Sequence, residues 1–367
     1  MSNADPLIGA SKEAVDTPAL LVDLDLMEAN IARIAETCRA QGVGWRPHTK
    51  GQKTPAIIRK ELAAGAIGVT CAKLGEAEVL ADAGVRDILI ANQVVGPIKL
   101  RRLMALRERA DVIVAVDSPA HVAALGEAAR QAGKVQRVLI EVDIGMHRAG
   151  VLPGDPVLAL ARMIAAESGL RFAGVMGWES HAVTIADPAA KSRAVADAVA
   201  LLTDSAALCR AAGLDAAIVS CGGTGTFPYC AQQPGVTEIQ AGGGIFSDMH
   251  YRSHYHLDFP CALTLLATVT SRPTPTRVIL DAGKKAMSSD AAAPHPVDLA
   301  LAGPVRLSAE HATLDLAEPS DRPRIGDKVE LIIGYSDTTV HLHEQIIGVR
   351  QGRVEAIWQV AGRGRLK

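Results

Sequence analysis

Arg46-Pro47-His48-Thr49-Lys50 is the stretch on which the reading of this chain turns. It follows an apolar opening at Val43 and precedes a helix-like run beginning near Thr54, so it reads as the C-terminal end of a first β-strand. A lysine at that end of a strand points into the mouth of a βα-barrel, where such folds keep their chemistry. Lysine is also the one side chain that forms a Schiff base with a carbonyl compound. A single lysine is most often a solvated surface charge, so its meaning depends on the rest of the chain.

Outward from that segment, short apolar runs alternate with helical stretches as far as about residue 240. The expected strands are 44–48, 67–71, 87–91, 112–116, 137–143, 171–177, 216–220 and 237–240. Helix-period patterns lie between most of them, for example at 97–110, 119–132 and 191–212. The last link is short and irregular, which leaves the eighth helix open. Eight strands alternating with helices predict an α/β fold, a (β/α)8 TIM-like barrel. An open doubly wound sheet shares the alternation, and the strand count favours the barrel.

Past Tyr251 the pattern changes to strand-like runs at 263–270, 277–280, 328–333 and 354–360, with proline and glycine between them. This predicts a C-terminal β-rich domain. Ala19-Leu20-Leu21-Val22-Asp23 is expected to lend it a strand, and Asp23 or Asp25 to cap the helix that follows. The expected boundaries are 25–250 for the barrel, and 1–24 plus 251–367 for the β-rich domain. Ser2-Asn3-Ala4 is set aside as a cloning scar.

The bulk numbers exclude several classes. The chain has 367 residues and a formal net charge of −2, so no strong field draws it to nucleic acid or an anionic membrane. No run reaches the roughly 18 apolar residues of a membrane helix, and no signal peptide opens the chain. The six cysteines lack CxxC spacing, which argues against a disulfide framework or a cysteine zinc site. A cytoplasmic enzyme with a small-molecule substrate is the expectation.

Several segments carry chemistry. Ser220-Cys221-Gly222-Gly223-Thr224-Gly225-Thr226 follows the seventh strand and Gly242-Gly243-Gly244 the eighth. A glycine-rich loop is by itself an ordinary turn. Two of them at these two strand ends fall where TIM barrels hold phosphate on backbone N–H groups. Arg148, closing the fifth strand, would point into the same mouth and offer a forked donor to a phenolate oxygen, or pair with Asp143. Trp178-Glu179-Ser180-His181 closes the sixth strand and would stack on a ring, shuttle protons or serve structure alone. In Tyr335-Ser336-Asp337-Thr338-Thr339-Val340-His341-Leu342-His343 the two histidines alternate, so on a strand they share a face. Asp337 and His343 offer a carboxylate and an imidazole to zinc or manganese, or form a polar strand edge. His250, His254 and His256 lack ligand spacing and read as loop.

Taken together, these segments resemble the fold-type III pyridoxal-phosphate enzymes related to alanine racemase, and within them the D-threonine aldolase and D-serine dehydratase branch. The resemblance spans nearly the whole chain. It rests on Pro47-His48-Thr49-Lys50, Gly145-Met146-His147-Arg148, Gly222-Gly223-Thr224-Gly225, Glu238-Ile239-Gln240-Ala241-Gly242, Asp281-Ala282-Gly283 and Glu310-His311.

The resemblance implies pyridoxal 5'-phosphate on Lys50, with Arg148 at its O3′ oxygen and Trp178 beside its ring. It implies phosphate held by Gly223, Thr224, Gly225, Gly242 and Gly243, and Gln240 where racemases place an arginine facing the pyridine nitrogen. It further implies a homodimer with shared active sites and cleavage of a β-hydroxy-D-amino acid to glycine and an aldehyde. Lys50, Tyr335 and His311 are the candidate catalytic residues. A D-serine or 3-hydroxyaspartate dehydratase and an amino-acid racemase are the alternatives. One departure stands out. The aldolase branch carries a metal-binding His-x-Asp near its C-terminus, and here Tyr335 replaces the histidine. Either His343 or His311 compensates, or Tyr335 takes over as the acid–base group.

Overall fold

The computed structural model describes residues 6–367, so Ser2-Asn3-Ala4 lies outside the described residues. The chain divides into two compact units. One comprises Arg33–Lys50, Ile58–Gly242 and Arg365–Lys367; the other comprises the described residues up to Ala32, Gly51–Ile57 and Gly243–Gly364.

The first of these units is the barrel. Eight parallel strands form its sheet: β2 (Gly44–Trp45), β3 (Val69–Cys71), β4 (Asp87–Gln93), β5 (Asp111–Val116), β6 (Gln136–Glu141), β7 (Leu170–Met176), β8 (Ile218–Cys221) and β9 (Glu238–Ile239). β1 (Ala19–Asp23) belongs to the other unit. All eight expected barrel strands are present. The central residues of β4, β5 and β6 are β-branched or leucine and are buried, as parallel strands between helices must be. Leu89, Ile113, Leu139 and Met176 fill a common core cluster.

The seam of the barrel is the 46–50 segment itself. On one side Arg46 and His48 donate their N–H groups to Ile239 and Gln240 carbonyls at 2.8 and 3.0 Å. On the other, Thr70 donates to the Pro47 carbonyl at 2.8 Å and Thr49 to the Thr70 carbonyl at 2.7 Å. These bonds close the circle that the strand count predicts. Arg46 itself is buried, bonded to Glu238 and Asp87, and serves the barrel wall.

Helices between the strands are α2 (Pro55–Ala63), α3 (Leu74–Asp82), α4 (Pro97–Leu106), α5 (Pro119–Gln131), α6 (Asp155–Ala166), α7 (Pro188–Ala211) and the single turn α8 (Phe227–Cys230). α1 (Leu24–Ala40) precedes them, and the Asp23 carboxylate accepts the Leu26 N–H at its start. The short last link explains why only one helical turn lies between β8 and β9. Ser118 and Asp187 cap α5 and α7, each with proline in the first turn.

The second unit is a β-rich body. Its strands after β1 are β10 (Leu263–Thr274), β11 (Arg277–Leu280), β12 (His295–Pro296), β13 (Arg306–Leu307), β14 (Ala312–Asp315), β15 (Lys328–Ile332), β16 (Gln345–Arg350) and β17 (Arg353–Gln359). β1 pairs antiparallel with β10 and parallel with β16, so the segment before the barrel does enter this sheet. Two short helices, α9 (Met249–Ser253) and α10 (Ser336–Thr339), interrupt it.

Two local readings are corrected. Residues 336–342 are helical rather than a strand. Tyr335-Ser336-Asp337 follows Gly334 into a turn capped through Asp248, which accepts the Ser336 N–H at 2.8 Å. His341 is therefore exposed while His343 turns inward, and they share no face. His250 lies on α9 rather than in a loop, because Asp248 caps that helix at Tyr251. The six cysteines are free thiols, five of them buried. Among the described residues no helix is long and apolar enough to cross a membrane.

Candidate active site

The indole of Trp178, two residues past β7, gathers the barrel-mouth residues. Lys50 Nζ lies 5.5 Å from its ring centroid and Arg148 Cζ 5.7 Å. Both distances suit a cation over an aromatic face. The indole Nε1 is buried without a hydrogen-bond partner. It is directed at the glycine-rich loop, since a Cβ on Gly223 would stand 2.6 Å from it. A buried N–H donor left unmade is costly unless something accepts it. Beside it runs a loop able to present backbone N–H groups.

The second glycine run is equally tight. A Cβ on Gly242 would meet the His48 carbonyl oxygen at 2.1 Å, and one on Gly243 the Tyr251 hydroxyl at 2.1 Å. Glycine is therefore required at both positions by close approach. Gln240 lies at the end of β9 and donates its side-chain amide to Ser220 Oγ at 2.9 Å.

Arg148 does not pair with Asp143. Its nearest carboxylate is Glu141, at 3.9 Å. Asp143 instead accepts the N–H groups of Gly145 and His147, each at 3.0 Å, and meets the His147 ring. Those bonds outweigh its partial burial and hold its carboxyl below the usual range. They also brace His147, whose φ of 56° is left-handed. Glu141 closes β6; burial pushes its carboxyl up, against the opposing pull of Gln93 and Arg148. Gln93 ties Glu141 to Asp117 at 2.6 and 3.1 Å. Sequence reading missed this triad, whose only signal is that each member stands at or just after a strand's C-terminal end.

In the β-rich unit, Tyr335 donates its hydroxyl to Asp337 Oδ2 at 2.9 Å. Burial and the neighbouring Asp337 push the phenol well above its ordinary value. His250 stacks edge-on against Tyr335, with ring centroids 4.8 Å apart, and Tyr251 lies 5.9 Å away. Asp248, fully buried, is pushed up to about 7 by desolvation despite N–H bonds from Tyr251 and Ser336. A Cβ on Gly51, the residue after Lys50, would meet Asp337 Oδ1 at 2.6 Å.

Among the described residues, neither Asp337, His343 nor His311 belongs to a group of three potential metal ligands. His343 Nε2 lies 2.6 Å from the Ala286 carbonyl, a contact that uses this nitrogen as a donor, and burial lowers its imidazole. Asp337 Oδ2 accepts the Tyr335 hydroxyl. Among the described residues, the group of three potential ligands within 4.8 Å of one another is Glu179, Cys221 and Cys230. His311 is exposed in the turn between β13 and β14, its backbone paired with Ser308.

Comparison with known proteins fits this geometry. Residues 22–249 match the alanine racemase N-terminal domain, and residues 262–349 a putative serine dehydratase domain. The chain is 35% identical over 353 residues to a D-threonine aldolase of an Arthrobacter species, covering 95% of this chain and 93% of the relative. It is 37% identical over 281 residues to a D-threo-3-hydroxyaspartate dehydratase of Delftia sp. (strain HT23), covering 75% and 73%. A crystal structure of D-threonine aldolase from Filomicrobium marinum superposes with a TM-score of 0.94 at 36% identity, covering 99% of this chain and 100% of that one. A lysine, an arginine and a glycine-rich loop converging on one indole, in a barrel of this descent, mark the chain as a member of the fold-type III pyridoxal-phosphate enzymes, built from an alanine racemase N-terminal domain and a serine dehydratase domain.

Proposed function

We propose that the protein is a lyase that cleaves the Cα–Cβ bond of β-hydroxy-D-amino acids, giving glycine and an aldehyde. The observation that carries the reading is the Trp178 platform, which Lys50 and Arg148 share beside the Gly223 loop. The kinship to D-threonine aldolase supplies the substrate class.

Pyridoxal 5'-phosphate, when bound, supplies the electron sink for the carbanion left at Cα. Lys50 would supply the amine that holds its carbonyl carbon. Arg148 would donate to its phenolic oxygen, and Gly223, Thr224, Gly225, Gly242 and Gly243 would hold its phosphate. Gln240 would offer a neutral amide to the pyridine ring, and Trp178 would stand beside it.

Tyr335 and Asp337 handle the β-hydroxyl. The phenol is raised, so it stays protonated near neutral pH and is no free base. It acts instead as a relay: its oxygen takes the substrate's β-hydroxyl proton while its own proton passes to Asp337 Oδ2. Asp337 packs against Gly51 within the β-rich unit. Asp337 and His343 belong to no group of three potential metal ligands among the described residues, and no step here is routed through manganese or zinc. His311, exposed on a turn, is assigned to a surface that faces a second copy, in a cytoplasmic homodimer.

Kinship to the dehydratase favours a second reading, loss of the β-hydroxyl to give an oxo acid and ammonia. Product analysis separates the two. Protein loaded with cofactor is incubated with D-threonine and D-phenylserine, with and without manganese. Glycine plus aldehyde supports the aldolase. Oxo acid with ammonia supports the dehydratase, and inverted substrate alone supports a racemase.

A further inference from the structure

Behind the glycine-rich loop lies a buried carboxyl that the proposed reaction does not use. Glu179 follows Trp178 in the chain and is fully buried. Its Oε1 accepts the Gly223 N–H at 3.4 Å and the Thr226 hydroxyl in a short bond. Its Oε2 accepts the Gly222 N–H at 3.4 Å. One oxygen thus holds both ends of the 223–226 turn, which its own backbone closes with the Thr226 N–H on the Gly223 carbonyl at 3.1 Å. Within 4.8 Å of it stand Cys221, at the end of β8, and Cys230, in α8.

Two roles compete for this cluster. Three potential ligands within 4.8 Å suggest a metal site. The thiols argue otherwise. Burial, with Cys221 and Glu179 beside it, pushes the Cys230 thiol far up, and it is bonded to Glu179 as a donor. The hydrogen bond with Cys230 lowers the Cys221 thiol, yet burial and Glu179 leave it raised. Metal ligation needs thiolates. Both carboxyl oxygens of Glu179 are already occupied by loop donors.

We propose that Glu179 is the positioning residue of the phosphate loop. Its carboxyl draws the feet of the 222–226 turn inward and so fixes the outward face on which the cofactor's phosphate rests. The inference rests on reading that loop as the phosphate site. Because Glu179 adjoins Trp178, the same anchor sets the indole N–H against Gly223. An amide cannot replace the carboxyl: in Glu179→Gln one oxygen becomes an NH2 that faces an N–H donor of the loop.

The test compares pyridoxal 5'-phosphate with pyridoxal, which lacks the phosphate. Each is titrated into cofactor-free protein and followed by visible absorbance and tryptophan fluorescence. In the wild type the phosphate compound should bind far more tightly than pyridoxal. In Glu179→Gln its Kd should rise about tenfold or more, while that of pyridoxal shifts less than about twofold. Thr226→Val removes a single bond and should fall between the two; it serves if Glu179→Gln does not fold. A preserved preference in both variants overturns the role of Glu179. A wild type that does not distinguish the two compounds overturns the phosphate loop itself. Stoichiometric zinc retained by the wild type and lost in Cys230→Ser would make Glu179 a metal ligand and overturn the proposal.

Discussion

The Tyr335 hydroxyl donates to Asp337 at 2.9 Å, and the same carboxylate presses its other oxygen toward Gly51, the residue after Lys50. In a proton relay the tyrosine is the essential partner. Tyr335→Phe should therefore lower kcat/KM for D-phenylserine cleavage by roughly a hundredfold or more, with cofactor affinity unchanged. A chelator should leave wild-type turnover intact. Turnover abolished by chelation and restored by manganese would rule the relay out.

Lys50 is assigned as the residue that bonds the cofactor. Lys50→Ala should lose the visible absorbance that develops when wild-type protein is mixed with pyridoxal 5'-phosphate. Its far-ultraviolet circular dichroism should stay unchanged, because the side chain is only half-buried. A variant that retains the visible band would remove Lys50 from the mechanism.

Gly242→Ala places a methyl 2.1 Å from the His48 carbonyl oxygen and 2.7 Å from the His48 nitrogen. Neither atom can move without opening the barrel seam. The substitution should cost about 3 kcal/mol, visible as a lower urea midpoint, and should displace Lys50 enough to impair cofactor binding. Gly303→Ala meets nothing within 4 Å and should stay within about 0.5 kcal/mol of wild type. Equal stability of the two variants would contradict the seam.

Asp248 carries a pH signature. Its folded value of about 7 lies above the ordinary 3.8, so burial favours its neutral form. The stability this contributes is complete below about pH 4 and is lost as pH rises through 7, by up to roughly 4 kcal/mol. Unfolding of the wild type between pH 4.5 and 8, both conditions of roughly equal ionic strength, should show this downward component. Asp248→Asn should lack it while losing some stability throughout, since one N–H acceptor is removed. Parallel pH profiles for the two proteins would refute the buried neutral carboxyl.

The exposed position of His311 suits a residue that works across a subunit boundary. Light scattering should give twice the mass of the 38.4 kDa chain. His311→Ala should then weaken turnover without altering the cofactor spectrum. A fully active monomer would discard the shared site.

Much of this was legible in the sequence. The central barrel strands β4, β5 and β6 are apolar and β-branched, and their alternation with helix-period stretches places them. Lys50, Arg148 and the two glycine runs stand at strand ends, where position itself signals chemistry. What stayed hidden depends on three-dimensional neighbours. The pairing of Arg148 with Glu141 rather than Asp143 follows from the His147 turn, which takes Asp143 for its own backbone. The helical course of 336–342 escaped because threonine and valine suggest a strand, and the capping carboxylate that overrides them comes from Asp248, far away in sequence. Glu179 was visible only as one letter of a tetrad; its burial beneath the loop gives it meaning.

The seam at 46–50 has a further consequence, for the order in which the molecule assembles. Gly44 pairs with Glu238, and His48 with Gln240, across almost the whole length of the barrel. Such distant contacts form late, because the intervening loop must first be closed. Lys50 rides on the last segment to be fastened. During synthesis the lysine exists long before its setting does, and a nascent chain stopped short of residue 238 would carry the reactive amine without a place to hold a cofactor.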